Sequence, residues 1–253
     1  MKFSLSRFFY KLCVSVEKRV TYLCGKGYGS ATIAQEVRMV SSLLGRGPRL
    51  AVDIGGNVGD YSAELLRRFP GLELHVFEPA TSNVNRLRSR FAAHQQVSLQ
   101  QAALSDAAGR MTLFADRDGS GMASLAQRQL GHLDIRFDPM EEVEVRRFDT
   151  YWKQALSGRV IDIVKIDVEG YELMVLRGFG EAIRNVRVLQ FEFGGTNIDT
   201  KVFFRDLWRF FEEAGFDLYR ITPLGIMRIE HYHERDELFI IANFIAVNRN
   251  AGA

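Results

Sequence analysis

The sequence predicts an α/β protein: a mostly parallel sheet between two layers of helices, with one antiparallel strand near the C-terminus. Three observations carry this. Strand-like apolar runs alternate with helix-like runs from about residue 49 to residue 214. The run Arg49-Leu-Ala-Val-Asp53 breaks into Ile-Gly55-Gly56-Asn57-Val-Gly59-Asp60, the pattern of a buried parallel strand turning into a helix at a ligand site. After residue 214 two strand-like runs follow each other without a helix between them, so one must run against the rest.

Composition sets the limits. The 253 residues are 47% hydrophobic and 25% charged, ordinary for a globular protein of one large or two small domains. Cys13 and Cys24 are the only cysteines, and no metal-type spacing surrounds them, which suits a reduced, cytoplasmic protein. Net charge is +2, but residues 1–50 hold nine Lys/Arg against two Glu, a net +7 that leaves −5 for the remainder. A basic front end implies an anionic neighbour. Nucleic acid is not expected as a partner, because no further basic-aromatic cluster follows.

Residues 1–48 read as an N-terminal helical segment and residues 49–253 as the main domain. Leu5, Phe8, Phe9, Leu12, Val16, Val20 and Leu23 recur at helical spacing across residues 3–23. Lys11, Glu17, Lys18 and Arg19 interrupt any signal-peptide core, and no uncharged run nears the roughly 20 residues of a membrane span. The expected fate of the apolar stripe is burial in protein, on its own domain or a second subunit of a homo-oligomer. The alternative is peripheral contact with a membrane, which would place the protein at the inner membrane face. Gly25 to Ser30 break this helix. Residues 31–44 form another, ended by Gly45-Arg-Gly47-Pro48.

Helices are then expected over residues 58–69, 83–91, 171–176 and 202–214. Strands are expected over 72–77, 97–101, 110–115, 141–148, 160–166, 186–193, 216–221 and 237–247. Three strands end in acids: Glu78 after the second, Asp167 and Glu169 after the run 160–166, and Glu192 within the run 186–193. Ligands gather beyond the carboxyl ends of the strands in open α/β sheets. An acid at the end of the second strand is placed to grip both hydroxyls of a nucleoside ribose. A charge cluster directly after a buried strand is costly as mere structure, which favours function for Asp167 and Glu169.

The glycine loop does not fit a dinucleotide frame, since Asn57 and Asp60 stand where G-x-G-x-x-G starting at Gly55 needs glycine. It suits an amino-acid-like ligand end better. Asp53-Ile-Gly-Gly-Asn57-Val-Gly59, Phe77-Glu78-Pro79, Ala103-Leu-Ser105-Asp106 and Lys165-Ile-Asp167-Val-Glu169-Gly170-Tyr-Glu172 stand in an order that resembles the FkbM-type family of class I S-adenosylmethionine-dependent methyltransferases. The resemblance spans about residues 49–247. It implies a Rossmann-like three-layer sandwich with strand order 3-2-1-4-5-7-6. It implies S-adenosylmethionine as cofactor, held at its amino-acid end by Asp53, Gly55, Gly56, Asn57 and Gly59. Glu78 would hold the ribose, and Asp106, with Ser105 beside it, would meet the adenine. The loop 118–125 resembles a Gly/Ser segment near the cofactor. The implied reaction is O-methylation of a hydroxyl on a small-molecule or glycan acceptor. The catalytic candidates are Glu169 and Glu192, with Asp167 at the cofactor–acceptor boundary and His231 and His233 second. No metal is expected. The alternative is a non-catalytic cofactor-binding or assembly protein on the same fold.

Overall fold

The computed structural model describes residues 2–29 and 32–250. In chain order the elements are α1 (Lys2–Leu23), α2 (Ile33–Ser42), β1 (Leu50–Ile54), α3 (Asp60–Arg68), β2 (Glu73–Phe77), α4 (Thr81–Arg90), β3 (Val97–Gln100), β4 (Ala103–Leu104), β5 (Gly109–Ala115), β6 (Asp138–Arg146), α5 (Phe148–Ala155), β7 (Ile161–Ile166), α6 (Glu172–Gly178), β8 (Val186–Phe193), α7 (Asn197–Thr200), α8 (Phe204–Glu213), β9 (Phe216–Thr222), β10 (Gly225–Ile229) and β11 (Ala242–Asn248). The first residue of the expected second helix, Ala31, lies outside the described residues.

An eight-stranded sheet has the order β10-β9-β11-β8-β7-β1-β2-β3. From β3 to β8 all pairs are parallel, and β11 inserts antiparallel between β8 and β9. With β10 set aside, this is the order 3-2-1-4-5-7-6 implied by the resemblance. The sheet differs from expectation at its edge. Residues read as a loop form β10, which pairs antiparallel with β9, so two strands rather than one run against the others. Gly225-Ile-Met-Arg-Ile is short and none of its residues is fully buried, so it lacks the clear alternation of a half-buried strand.

Side chains alternate between the two faces of the sheet, and each face builds its own core. Leu50, Val52, Ile54, Val164, Ile166, Leu189 and Phe191 pack against Phe148 and Trp152 of α5, Leu173 and Leu176 of α6, and Phe204 and Phe211 of α8. Ala51, Leu74, Val76, Ile163, Val188 and Ile245 face Val37 and Val40 of α2, Leu65 of α3 and Leu87 of α4. That makes three layers. A smaller sheet, β4-β6-β5, builds a third apolar cluster from Ala103, Leu113, Val143 and Val145. α5 was missed from the sequence, although Phe148 and Trp152 are spaced one turn apart and both are buried.

α1 behaves differently. Phe8, Phe9, Leu12, Val16 and Val20 are exposed, so the stripe does not pack on its own domain. Among the described residues no helix is long and apolar enough to cross a membrane.

Candidate active site

The carboxyl ends of β1, β2 and β7 open into a cleft of about 550 Å³. Its floor is set by the turn after β1. Gly55 has φ +83°, and its N–H and that of Gly56 both donate to the Phe77 carbonyl. A Cβ on Gly55 would press into the Asp167 carbonyl oxygen, so glycine lets the first and fourth parallel strands end side by side. Gly59, at φ +86°, starts α3, and a Cβ there would meet Leu87 and Phe91. Gly56 and Gly59 thus serve close packing, while Gly55 and Asn57 line the cleft.

Glu78 enters the cleft from the end of β2 and is 5% exposed. The Asn57 N–H donates to its Oε2 at 2.8 Å and the Ala80 N–H to its Oε1 at 3.0 Å. Burial pushes its carboxyl up to about 7, against the pull of those two N–H groups. Asn83, which sequence reasoning did not single out, donates from Nδ2 to Asn57 Oδ1, and its own buried Oδ1 has no partner among the described residues. Ile54, Phe77, Leu104, Leu113 and Leu125 supply the apolar walls.

Ser105 and Asp106 are not on this cleft. Ser105 N–H donates to Arg146 O, which carries the chain into the small sheet, and Gly178 of α6 lies against the Ser105 carbonyl. The corner at 105–106 is thereby drawn under α6, and Ala102, Ala103 and Leu104 line the cleft in its place. The structure thus places neither Ser105 nor Asp106, expected at the adenine, among the residues that line the cleft.

The segment after β5 closes one side of the cleft with Ser120, Gly121, Ala123, Ser124 and Leu125. It is tethered to the turn after β7. Ser124 Oγ donates to the Glu169 carbonyl at 2.9 Å, and an Arg128 guanidinium nitrogen lies 3.2 Å from Glu169 Oε2. Glu169 holds φ +56°, an uncommon conformation for a non-glycine residue that is over-represented at functional sites. Glu172 fixes this turn from below, accepting the N–H groups of Val168 at 3.2 Å and Gly170 at 3.1 Å.

Two further spaces continue from the cleft. One, of about 420 Å³, is lined by Asp53, Gly55, Gly56, Asn57, Tyr61 and Lys165 among others. The next, of about 470 Å³, is walled by Gly29, Ile33, Glu36, Tyr61, Lys165, Asp167, Glu192 and Asn243. Asp167 lines all three. Sequence alternation set Lys165 and Asp167 on one side, and their side chains meet at 2.8 Å. Asp53 turns toward α3 and accepts the Ser62 hydroxyl at 2.6 Å.

Burial dominates the electrostatics. It raises Asp53 to about 6 against Ser62 and Lys165, and Glu172 to about 7. It raises Glu169 to about 8, with the Asp167 charge adding and Arg128 opposing. Glu192 is raised well above the usual range by burial and then by Asp167 and Glu169. Burial opposes the charge on Lys165, but Asp167 and Glu36 outweigh it and hold the ammonium on. Glu36 itself was missed. It is 3% exposed and accepts from Gln190 Nε2 at 2.6 Å. Its place beside Val37 on the buried face of α2 was the available signal.

His231 and His233 stay away from all this. Both are exposed and line none of the spaces described. His233 instead starts a short 3₁₀ turn, its N–H donating to Asp236. The structure therefore does not bring the two histidines together with the other catalytic candidates. Among the described residues no group of three or more His, Cys, Asp or Glu side chains has the arrangement of a metal site.

Residues 53–218 match the family described as the methyltransferase FkbM domain. The chain is 28% identical over 193 residues to the 2-O-methyltransferase NoeI of Sinorhizobium fredii, a match covering 72% of this chain and 78% of that protein. It is 30% identical over 155 residues to the 31-O-demethyl-FK506 methyltransferase FkbM of Streptomyces tacrolimicus, covering 51% and 59% respectively. Among solved structures, a putative O-methyltransferase from Klebsiella pneumoniae is similar with a TM-score of 0.48 and 11% identity, over 87% of this chain and 81% of that one. The cleft suits a nucleoside with a charged tail. Glu78 keeps free lone pairs for hydroxyls, and the apolar walls suit a flat ring. With its glycine turn, buried Glu78 and matching domain, the chain belongs to the FkbM methyltransferase family, which uses S-adenosylmethionine.

Proposed function

We propose that the protein methylates a hydroxyl oxygen on a sugar or a secondary metabolite. The observation that carries this is the position of Asp167. It stands where the cofactor cleft meets the two further spaces, with Glu169 on the cleft side and Glu192 on the far side. The names of the two relatives, each an O-methyltransferase by its description, support oxygen as the target atom.

S-adenosylmethionine supplies a methyl group already made electrophilic by its sulfonium. The protein must therefore position a hydroxyl in line and accept one proton. The space walled by Glu36, Lys165, Glu192 and Asn243 is polar and receives the acceptor. Lys165 and Asn243 donate to acceptor oxygens there. Glu192 takes the proton, because burial makes it a stronger base than an exposed carboxylate once ionised. Glu169 orients the hydroxyl from the other side, and Asp167 keeps the Lys165 charge in place. No metal takes part in this reading.

Labelled S-adenosylmethionine incubated with sugar and polyketide acceptor pools gives the test. Glu192→Gln should lower kcat by roughly 10²–10⁴-fold with cofactor affinity intact. Wild-type activity should be unchanged in EDTA. Full activity in both Glu192→Gln and Glu169→Gln would overturn the carboxylate roles, and loss in EDTA would overturn metal independence. Cofactor binding without turnover on any pool would favour a non-catalytic binding protein.

A further inference from the structure

We propose that α1, together with the apolar rim beside the acceptor space, forms a docking face for an anionic lipid bilayer. Two separate observations converge on one edge of the molecule. The first is α1. Phe8, Leu12, Val16 and Leu23 fall on one side of the helix at spacings of four, four and seven, and all are exposed. Phe9 and Val20 widen that stripe. Arg7, Lys11 and Lys18 form a second row at spacings of four and seven, on the side of the helix away from the middle of the stripe. Arg19 falls within the stripe, where its long stem lets the guanidinium reach headgroups. Glu17 is the one acid between Ser6 and Leu23. An apolar stripe with cations on the polar side of the same helix fits the interface of an anionic membrane.

The second observation is the rim. Ile240 and Ile241 are exposed immediately before β11, and Leu224, 69% exposed, caps the β9–β10 turn at the same end of the sheet. The loop leaving α1 is sewn onto this rim. Gly27 N–H donates to Ile241 O at 2.7 Å, Tyr28 bridges to Ala242, and Gly25 lies against Ile221 and Thr222. Two residues further on, Gly29 and Asn243 wall the acceptor space. Charge complementarity selects an anionic bilayer, because Arg7, Lys11, Lys18 and Arg19 against Glu17 give the stretch from Ser6 to Leu23 a net charge of +3. Docking through this face turns the acceptor space toward the lipid headgroups. The inference does not depend on which hydroxyl is methylated.

The full chain sedimented with phosphatidylglycerol–phosphatidylcholine vesicles should bind them, and should bind phosphatidylcholine vesicles far more weakly. Charge reversal in Arg7→Glu/Lys11→Glu/Lys18→Glu should weaken the anionic binding by at least about tenfold. Phe8→Asp/Leu12→Asp and Leu224→Asp/Ile240→Asp should each weaken it too. S-adenosylmethionine calorimetry on the same variants should be unchanged, showing that the main domain is folded. Binding indifferent to lipid charge would overturn the proposal. So would a dimer in light scattering that Phe8→Asp/Leu12→Asp dissolves while vesicles capture nothing.

Discussion

Glu78 is held by two backbone N–H groups before any ligand arrives, so its carboxylate is already aimed. A ribose meeting it gains charge-assisted hydrogen bonds without ordering a side chain, each worth about 1.5–3 kcal/mol net. Glu78→Ala should therefore weaken S-adenosylmethionine binding at least tenfold by calorimetry, and Glu78→Gln, which keeps one acceptor oxygen, should weaken it less. Unchanged affinity in both would remove Glu78 from the ribose. Residues of this kind were legible because they sit at strand ends, where a charge after an apolar run has no structural excuse. Glu36 and Glu172 were harder. Each is buried within a helix and acts through partners distant in sequence or through the backbone of a turn. Ser105 and Asp106 were legible as a turn but not as to which way the turn faces. That depends on the pairing of β4 with β6, across about forty residues.

At the scale of elements, the parallel strands and their helices were readable because each carries its own period. β10 and α5 were not, for opposite reasons. β10 is a short edge strand whose stability comes from its hairpin partner. α5 has the right spacing but only eight residues to show it. The turn after β1 offers a sharp test of element joining. Gly55→Ala combines a left-handed backbone with a clash against the Asp167 carbonyl. Gly45→Ala has the left-handed backbone, φ +65°, with nothing near its Cβ. The second should cost about 1–2 kcal/mol of strain, and the first clearly more. Thermal unfolding of the two variants measures the difference. Equal melting temperatures would mean that β1 and β7 do not need glycine to end side by side.

At the scale of the whole molecule, five buried acids share one sign of shift, Glu192 among them and raised well above the usual range. Asp53 stands near 6, Glu78 and Glu172 near 7 and Glu169 near 8, each raised first by burial. In the unfolded chain they ionise near pH 4. Between about pH 4 and about pH 8 the folded protein therefore binds more protons than the unfolded chain, so its stability falls as pH rises. Glu73, lowered to about 2 by Arg159, works in the other direction, but only below about pH 4.5. The ligand-free protein should then melt several degrees higher near pH 5 than near pH 8 by calorimetry. A melting temperature that rises steadily across that range would contradict the upward shift of these acids in the folded protein. The division of charge, basic in the first 50 residues and acidic after, was plain in the sequence. That α1 stands off the main domain was not, because an amphipathic pattern records a need for burial but not the surface that meets it.

The space proposed for the acceptor takes its walls from Gly29 and Glu36 early in the chain and Asn243 late in it. β9 pairs only with β10 and β11, so the β9–β10 hairpin has no place in the sheet until β11 slides between it and β8. During synthesis the residues lining the main cleft, all between 54 and 171, leave the ribosome well before that strand. The residues that line the main cleft are thus made before those that complete the second space, and the core shared by both, which includes Phe191, Phe204 and Phe244, closes only when β11 arrives.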